Sequence, residues 1–156
     1  MTVARLEALY RERYEHFARV AGAIAGDAES GHDAVQLGFA NALRHRASFR
    51  GQGPLEAWVW RIVVNEAKRL AAASRRELAT VADEPVLNGS ATDEHGLRPW
   101  IAALPERQRA ALFLRYYADL PYTQIAAILD MEVGTVSATL SAAHARLRQS
   151  FSEVER

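Results

Sequence analysis

The sequence predicts an all-α protein made of two small helical domains joined by a flexible acidic linker. Apolar residues recur at spacings of three and four over several long segments, as in helices that bury one face. The 156 residues are 49% apolar, enough to form two modest cores. Residues 77–98 separate the two groups of helical segments and contain Asp, Glu, Pro, Gly and Ser without an apolar period.

Charge is unevenly distributed along the chain, although the formal net charge is zero. Residues 44–76 contain eight Lys or Arg against two Glu, whereas residues 77–106 contain six acidic residues against one Arg. The zero net charge by itself gives no reason to expect a polyanionic partner. The basic segment over residues 44–76 does favour such a partner. The acidic linker could cover a basic DNA-binding surface by imitating the polyanion, although a solubilising tether is the simpler interpretation.

The composition argues against several classes of protein. Without cysteine the chain has no disulfide or thiolate metal site, and its five scattered His lack the paired spacing of a zinc site. No nucleophile lies beside a base, so we expect neither an enzyme nor a bound cofactor. The N-terminus does not resemble a signal peptide, and no segment has the length of a membrane span, so we expect a cytoplasmic protein.

The first two helices follow from apolar periodicity and end signals. An apolar stripe over residues 2–26 predicts one long helix that ends at Gly26. Ser30 and Asp33 have the spacing of a capping pair, which predicts a second helix over residues 31–46. By pattern alone its outward side is an ordinary solvated face, formed by His32, Asp33, Gln36 and Asn41.

The third helix is the most informative part of this half. A Gly-rich loop over residues 47–54 carries Phe49 and Arg50, and its final Pro54 favours a helix over residues 55–76. At about 100° per residue, the helix has two distinct sides. The predicted buried side contains Leu55, Val59, Ile62, Val63 and Leu70. The opposite side contains Trp58, Arg61, Asn65, Lys68, Arg69 and Arg76.

An aromatic ring at one end of a basic, amide-bearing stripe suits single-stranded nucleic acid. Cations follow the phosphates, and flat rings stack on unpaired bases. The alternative is that Trp58 belongs to the core and the cations are simply solvated, which is the better interpretation for one amphipathic helix taken alone. Glu66 lies within the apolar stripe and has no evident partner in the sequence.

The second domain is predicted to begin near Trp100 and Ile101, with a helix over residues 107–118 between Pro105 and Pro121. The broad apolar face of this helix contains Ala111, Leu112, Phe113, Leu114 and Tyr116. Thr123 is predicted to cap a short second helix, whose buried face contains Ile125, Ala126 and Leu129.

A turn at residues 130–132 leads to a third helix that starts near Val133. This helix is predicted to turn Val136, Leu140 and Ala143 inward. Its other side carries the hydroxyl groups of Thr135, Ser137, Thr139 and Ser141. Two short helices with Ala126 at their crossing describe a helix-turn-helix, whose last helix enters the DNA major groove. A plain helical hairpin explains the pattern about equally well.

Resemblance to a known family separates these alternatives. Residues 104–148 resemble the fourth conserved region of bacterial RNA polymerase sigma factors of the sigma-70 family, and residues 9–76 resemble the second, in the right order. The matching residues of the fourth region are Leu104, Pro105, Arg109, Ile125, Ala126, Thr135, Val136, Leu140, Arg146 and Leu147. Those of the second region are Asp33, Val35, Gln36, Phe39, Phe49, Gly51, Trp58, Arg61, Ile62 and Asn65. The short linker is similar to that of the compact extracytoplasmic-function class.

The resemblance implies a domain for each match, residues 1–76 and 99–156, with residues 77–98 as linker. The partners it implies are the RNA polymerase core, promoter DNA and an anti-sigma factor. The clamp helices of the largest polymerase subunit would meet His32, Asp33 and Gln36. Melted promoter DNA would meet Phe49, Arg50, Trp58, Arg61, Asn65, Lys68 and Arg69. Duplex DNA would meet Thr123, Thr135, Ser137, Thr139, Ser141, His144 and Arg146.

The chain departs from the family pattern at four places. Leu37 stands where an acid usually follows the glutamine of the core-binding motif, and Arg69 where a carboxylate usually follows Asn65. Asp130 occupies the usual glycine of the turn, and it tolerates the left-handed conformation better than most residues. The recognition helix lacks the usual Lys and Arg at its exposed positions, which lowers affinity for phosphates more than base specificity.

Two other functions fit parts of the sequence. A sigma-like decoy would bind an anti-sigma factor without productive promoter binding, and the uncharged recognition helix agrees with it. Such decoys usually carry an attached sensor domain, which we do not expect in 156 residues. A free-standing helix-turn-helix regulator would leave the basic third helix and its loop unexplained. We therefore expect a sigma factor that binds the polymerase core and directs it to promoters.

Overall fold

The computed structural model describes residues 2–81 and 98–154. All regular structure in these ranges is helical, which confirms the all-α class. The chain divides into two compact units, Met1–Ser90 and Ala91–Arg156. The helices are α1 (Val3–Ala25), α2 (Ala28–Arg44), α3 (Leu55–Val81), α4 (Arg98–Ala102), α5 (Glu106–Leu112), α6 (Tyr122–Leu129) and α7 (Val133–Val154).

The junction between α1 and α2 is tighter than the sequence predicts. Gly26 ends α1 in the left-handed conformation at φ 108°, as expected for this residue. Asp27 then caps α2, and its carboxylate accepts hydrogen bonds from the Ser30 backbone N–H at 2.7 Å and the Ser30 hydroxyl at 2.9 Å. The predicted Ser30–Asp33 cap is therefore wrong, because the Ser30 hydroxyl already donates to the residue that starts the helix. A short 3₁₀ turn, Arg46–Ser48, replaces the predicted end of α2.

Two glycines let the helices of the first unit approach at backbone distance. A Cβ atom on Gly31 would lie 2.5 Å from the Gly22 nitrogen and 2.8 Å from the Ala18 carbonyl oxygen, so α1 and α2 touch there directly. A Cβ atom on Gly38 would lie 2.6 Å from Cγ2 of Val63 on α3. Neither position has room for a side chain, and both fix the outward side of α2.

Aromatic rings fill the centre of this unit. Phe17 and Trp60 are fully buried with ring centroids 4.0 Å apart, and Phe39 meets Phe17 edge-on at 5.2 Å. Val59 and Val63 are buried beside them as predicted. The core of the first unit therefore depends on a tryptophan that the helical wheel did not place on the buried side.

Helix α3 is longer than predicted. It continues to Val81, beyond its predicted end at residue 76, and so enters the predicted linker. Its predicted buried positions Ile62 and Leu70 are only half-buried, because they lie at the edges of the buried side. Residues 82–97 of the predicted linker lie outside the described residues.

The second unit closes around α6 and α7. Its buried side chains include Leu114, Ile125, Leu129, Val136 and Leu140. The predicted inward positions of α7 are confirmed, Ala143 among them. Trp100 on α4 packs against Phe151 near the end of α7, with ring centroids 4.6 Å apart. Asp130 adopts the left-handed conformation, φ 56° and ψ 55°, which makes the predicted turn.

Three details of this unit differ from the prediction. Helix α5 does not run unbroken to residue 118, because a π-helical turn, Phe113–Tyr117, follows it and Ala118 N–H donates to the Phe113 carbonyl. Tyr116 is 64% exposed, so it is not part of the buried apolar face that contains Leu114. Helix α6 starts after Pro121 with no side-chain cap, so the predicted capping role of Thr123 is wrong. The Pro121 carbonyl accepts the first amide hydrogens instead.

Candidate nucleic-acid interface

The outward side of α3 gathers the residues predicted to bind melted DNA. Arg61, Asn65 and Arg69 are exposed, and Lys68 is half-exposed. Trp58 is half-buried at the start of the same side. The Trp58 side chain is therefore neither a core residue nor fully exposed. The fully buried tryptophan of this helix is Trp60.

The loop before α3 brings a second ring to this side. Phe49 lies against Trp58, with ring centroids 5.4 Å apart and an angle of 52° between the rings. Gly51 and Gly53 turn the loop with positive φ angles of 73° and 92°, which favour glycine. Arg50, between Phe49 and Gly51 in the sequence, is exposed. The structure thus joins the predicted loop and the predicted helix into one surface.

Two arginines that the site prediction missed extend this surface. A surface cavity of about 370 Å³ is lined by Arg44 and Arg46 together with Ala47 and Phe49. Both arginines are exposed, Arg44 as the last residue of α2 and Arg46 as the first residue of the 3₁₀ turn. Both arginines belong to the basic segment over residues 44–76, and this was the signal that could have identified them. The site prediction used the periodicity of the third helix, which does not extend to residues before the loop. The cavity offers cations next to an aromatic edge.

The buried Glu66 has partners from two helices. Its Oε1 accepts a hydrogen bond from the Asn41 amide at 2.8 Å and from the Arg69 guanidinium at 2.9 Å. Glu66 is 7% exposed, whereas the Arg69 side chain is 75% exposed. The nearest carboxylate to residue 69 in the helix is thus one helical turn earlier, at Glu66, and it pairs with Arg69. It holds Arg69 on the outward side of α3 and offsets part of its charge.

The outward side of α2 forms a separate exposed surface. His32, Asp33 and Gln36, the predicted polymerase contacts, are all exposed there. Leu37 on the same side is 46% exposed, so this surface offers an apolar side chain where the family usually has an acid. The Tyr14 hydroxyl of α1 lies 2.6 Å from His32 Nδ1 with the rings stacked, which fixes the imidazole.

The Tyr14 hydroxyl stays neutral at physiological pH. Burial raises its pKa above the ordinary tyrosine value, and the neighbouring Tyr10, Glu15 and Asp33 act in the same direction. A neutral hydroxyl can donate its proton to His32 Nδ1 or accept one from it.

The exposed side of α7, the predicted recognition helix, presents mostly uncharged groups. Thr135, Ser137, Ser141 and Arg146 are exposed as predicted. The hydroxyl of Thr139 donates to the Thr135 carbonyl at 2.7 Å, so its proton is used within the helix and only its lone pairs can meet DNA. No Lys or Arg occurs in α7 before Arg146.

The other two predicted duplex contacts are Thr123 and His144. Thr123 is exposed at the start of α6. His144 is half-buried, and its Nε2 lies 2.9 Å from the Tyr116 hydroxyl, so the structure gives this histidine a protein partner that the sequence did not reveal.

The described residues also bear on metal binding and on membrane crossing. Residues 2–81 and 98–154 contain no group of three or more His, Cys, Asp or Glu able to hold a metal ion. No single helix in the described part of the chain is long and apolar enough to cross a membrane, while α6 and α7, bent by 94°, together meet the length and composition of a broken span.

Comparison with known families and proteins identifies both units. Residues 9–77 match the model of sigma-70 region 2, and residues 100–147 match that of sigma-70 region 4. The extracytoplasmic-function RNA polymerase sigma-E factor of Escherichia coli K12 is 37% identical over 145 residues, covering 80% of this chain and 75% of that protein. The RNA polymerase sigma-H factor of Pseudomonas aeruginosa is 32% identical over 146 residues, with the same coverage of both chains.

Solved structures share the fold. A Bartonella quintana sigma factor, RpoE, crystallised with the anti-sigma factor NepR, aligns with a TM-score of 0.74 at 24% identity, covering 96% of this chain and 99% of that one. CnrH in complex with the cytosolic domain of CnrY gives 0.73 at 22% identity, covering 97% and 90%. With both regions matched in order, the chain belongs to the extracytoplasmic-function sigma factors of the sigma-70 family, which bind RNA polymerase core and direct it to promoters for transcription initiation.

Proposed function

We propose that three surfaces of this sigma factor divide the work of promoter recognition. The outward side of α2, with His32, Asp33 and Gln36, binds the clamp helices of the largest polymerase subunit. The loop–α3 surface captures melted promoter DNA. Helix α7 reads the upstream duplex element in its major groove. Catalysis belongs to the polymerase, and we infer that the chain acts in the cytoplasm without a cofactor.

The single observation that carries the proposal is the ring pair at the head of a cationic helix side. Phe49 and Trp58 form an aromatic step, and Arg61, Asn65 and Lys68 follow along α3. Unpaired bases stack on aromatic rings, while the displaced strand's phosphates follow the cations. A base flipped out of the duplex would enter the loop over residues 49–54. A purely structural role for Trp58 would not require a half-exposed ring.

A partner that inhibits the factor completes the proposal. Both solved structures of the same fold named above are complexes, one of them with an anti-sigma factor. We infer that an anti-sigma factor also binds this chain. It would hold the factor inactive by covering a polymerase-binding surface.

Reconstitution with purified core polymerase tests the proposal. Genomic fragments selected by the holoenzyme should contain a shared promoter, and footprinting should show protection that core polymerase alone does not give. Selection would also reveal the promoter sequence. If the chain fails to co-elute with core polymerase but binds an anti-sigma factor tightly, the decoy function is correct and the proposal is not.

A further inference from the structure

The contact between Tyr116 and His144 adds a feature to the recognition surface. The hydroxyl of Tyr116 and Nε2 of His144 are 2.9 Å apart, and the two rings meet edge to face at 5.6 Å between centroids. Tyr116 is nevertheless 64% exposed. An exposed tyrosine usually samples several rotamers, whereas this ring is tethered at its hydroxyl to α7. It is therefore pre-positioned while most of its surface remains open.

The position of His144 on α7 places Tyr116 beside the outward side of that helix. Counting about 100° per residue, His144 shares a flank of α7 with Ser137, Ser141 and Arg148. The last three are exposed. Tyr116 comes from the π-helical turn Phe113–Tyr117, a type of irregularity that is frequent at functional sites. The turn thus presents a tyrosine at the edge of the helix that the proposed function sends into the major groove.

We propose that Tyr116 is a DNA-backbone contact positioned by His144. Tyrosine hydroxyls commonly bond phosphate oxygens and so fix the register of a recognition helix. His144 Nε2–H would donate to the Tyr116 oxygen, and the Tyr116 O–H would then donate to a phosphate oxygen of the upstream element. This pair supplies anion recognition on a helix whose first three turns carry no Lys or Arg. The inference rests on the proposed function of α7.

The chemistry of a neutral donor predicts a distinctive result. Tyr116→Phe keeps the ring and removes only the hydroxyl, so we expect roughly ten-fold weaker holoenzyme binding to a selected promoter fragment, the loss typical of one hydrogen bond to a charged group. Because the hydroxyl carries no charge, the dependence of affinity on salt should stay unchanged. Because a phosphate carries no sequence information, the loss should be equal for base-substituted upstream elements.

A double-mutant cycle tests the pairing. Tyr116→Phe, His144→Ala and the double variant should lose affinity non-additively, since either single change breaks the same arrangement. His144→Gln retains an amide donor and should recover part of the loss. Arg148→Gln is the matched control on the same flank, and it should flatten the salt dependence where Tyr116→Phe does not. Thermal unfolding of each variant verifies that the second unit remains folded.

The outcomes separate this inference from the proposed function. If Tyr116→Phe binds within two-fold of the wild type while the wild-type holoenzyme protects the promoter, the Tyr116 assignment is overturned and the proposed function stands. A loss confined to one base substitution would also overturn it, because that result would mean base readout. If the wild-type holoenzyme protects no promoter at all, the proposed function itself fails.

Discussion

The outward sides of α3 and α7 differ in the groups that they offer to DNA. Helix α3 carries Arg61, Lys68 and Arg69 behind an aromatic step, whereas α7 exposes hydroxyl and methyl groups until Arg146. Cations that contact phosphates give an affinity that depends on the salt concentration. Neutral groups that contact base edges discriminate between DNA sequences and add no such salt dependence. Under the proposed function the two contributions come from different units, so each can be removed without the other.

The largest expected effect concerns the aromatic step. Trp58→Ala removes a ring on which an unpaired base stacks, which is worth about 1–3 kcal/mol, or roughly five- to 150-fold in strand opening. Lys68→Ala should act in the same direction. Permanganate reactivity of the opened bases measures opening, and a duplex fragment measures closed binding, which we expect to change little.

Trp58→Phe is the matched control, because it retains a stacking ring beside Phe49 and should lose much less. If permanganate-reactive bubbles form at the wild-type rate in both alanine variants, the DNA-binding side of α3 is assigned wrongly. A defect in duplex binding as large as the defect in strand opening would contradict the assignment of strand opening alone to α3.

The next effect concerns how each unit is built. Gly31→Ala forces a methyl group against the α1 backbone, and such overpacking costs about 1–3 kcal/mol. Gly134, on α7, has nothing within 4 Å of the point where a methyl group would lie, so Gly134→Ala should stabilise by about 0.5–1 kcal/mol through helix propensity. Hydrogen exchange, measured separately in each unit, reads both changes. If Gly31→Ala and Gly134→Ala changed the free energy of unfolding by equal amounts of the same sign, the close approach of α1 and α2 at Gly31 would be contradicted.

A smaller effect on duplex binding is expected from adding a positive charge to the exposed side of α7, which has no Lys or Arg before Arg146. Ala142 is exposed on α7, so Ala142→Lys should steepen the salt dependence of duplex binding by up to about one counterion and tighten it several-fold. Discrimination between selected and scrambled upstream elements should fall, because the new contact is made to phosphate. Ala142→Gln controls for side-chain length. An unchanged salt dependence would show that this side of α7 does not face DNA.

Local patterns predicted much of the fold, because helix period and end residues act over a few positions. Helical periodicity places Trp58 away from the buried side of α3, and the break between two apolar helical segments predicts the turn at residues 130–132. The missed features depend on contacts distant in sequence. The partner of Glu66 on α2, Asn41, is 25 residues away, and Tyr116 is 28 residues from His144. Neither pair leaves a periodic signal.

The most direct measurement compares salt dependence in two variants of the holoenzyme. Binding is measured across a salt series on a promoter with a pre-opened strand and on the duplex upstream element. Arg61→Gln should reduce the slope on opened DNA by about 0.7 and leave upstream base discrimination intact. Ser137→Ala should leave the slope unchanged and reduce discrimination roughly five-fold. If Arg61→Gln reduced upstream base discrimination with an unchanged slope, or Ser137→Ala reduced the slope with unchanged discrimination, the proposed roles of α3 and α7 would be contradicted.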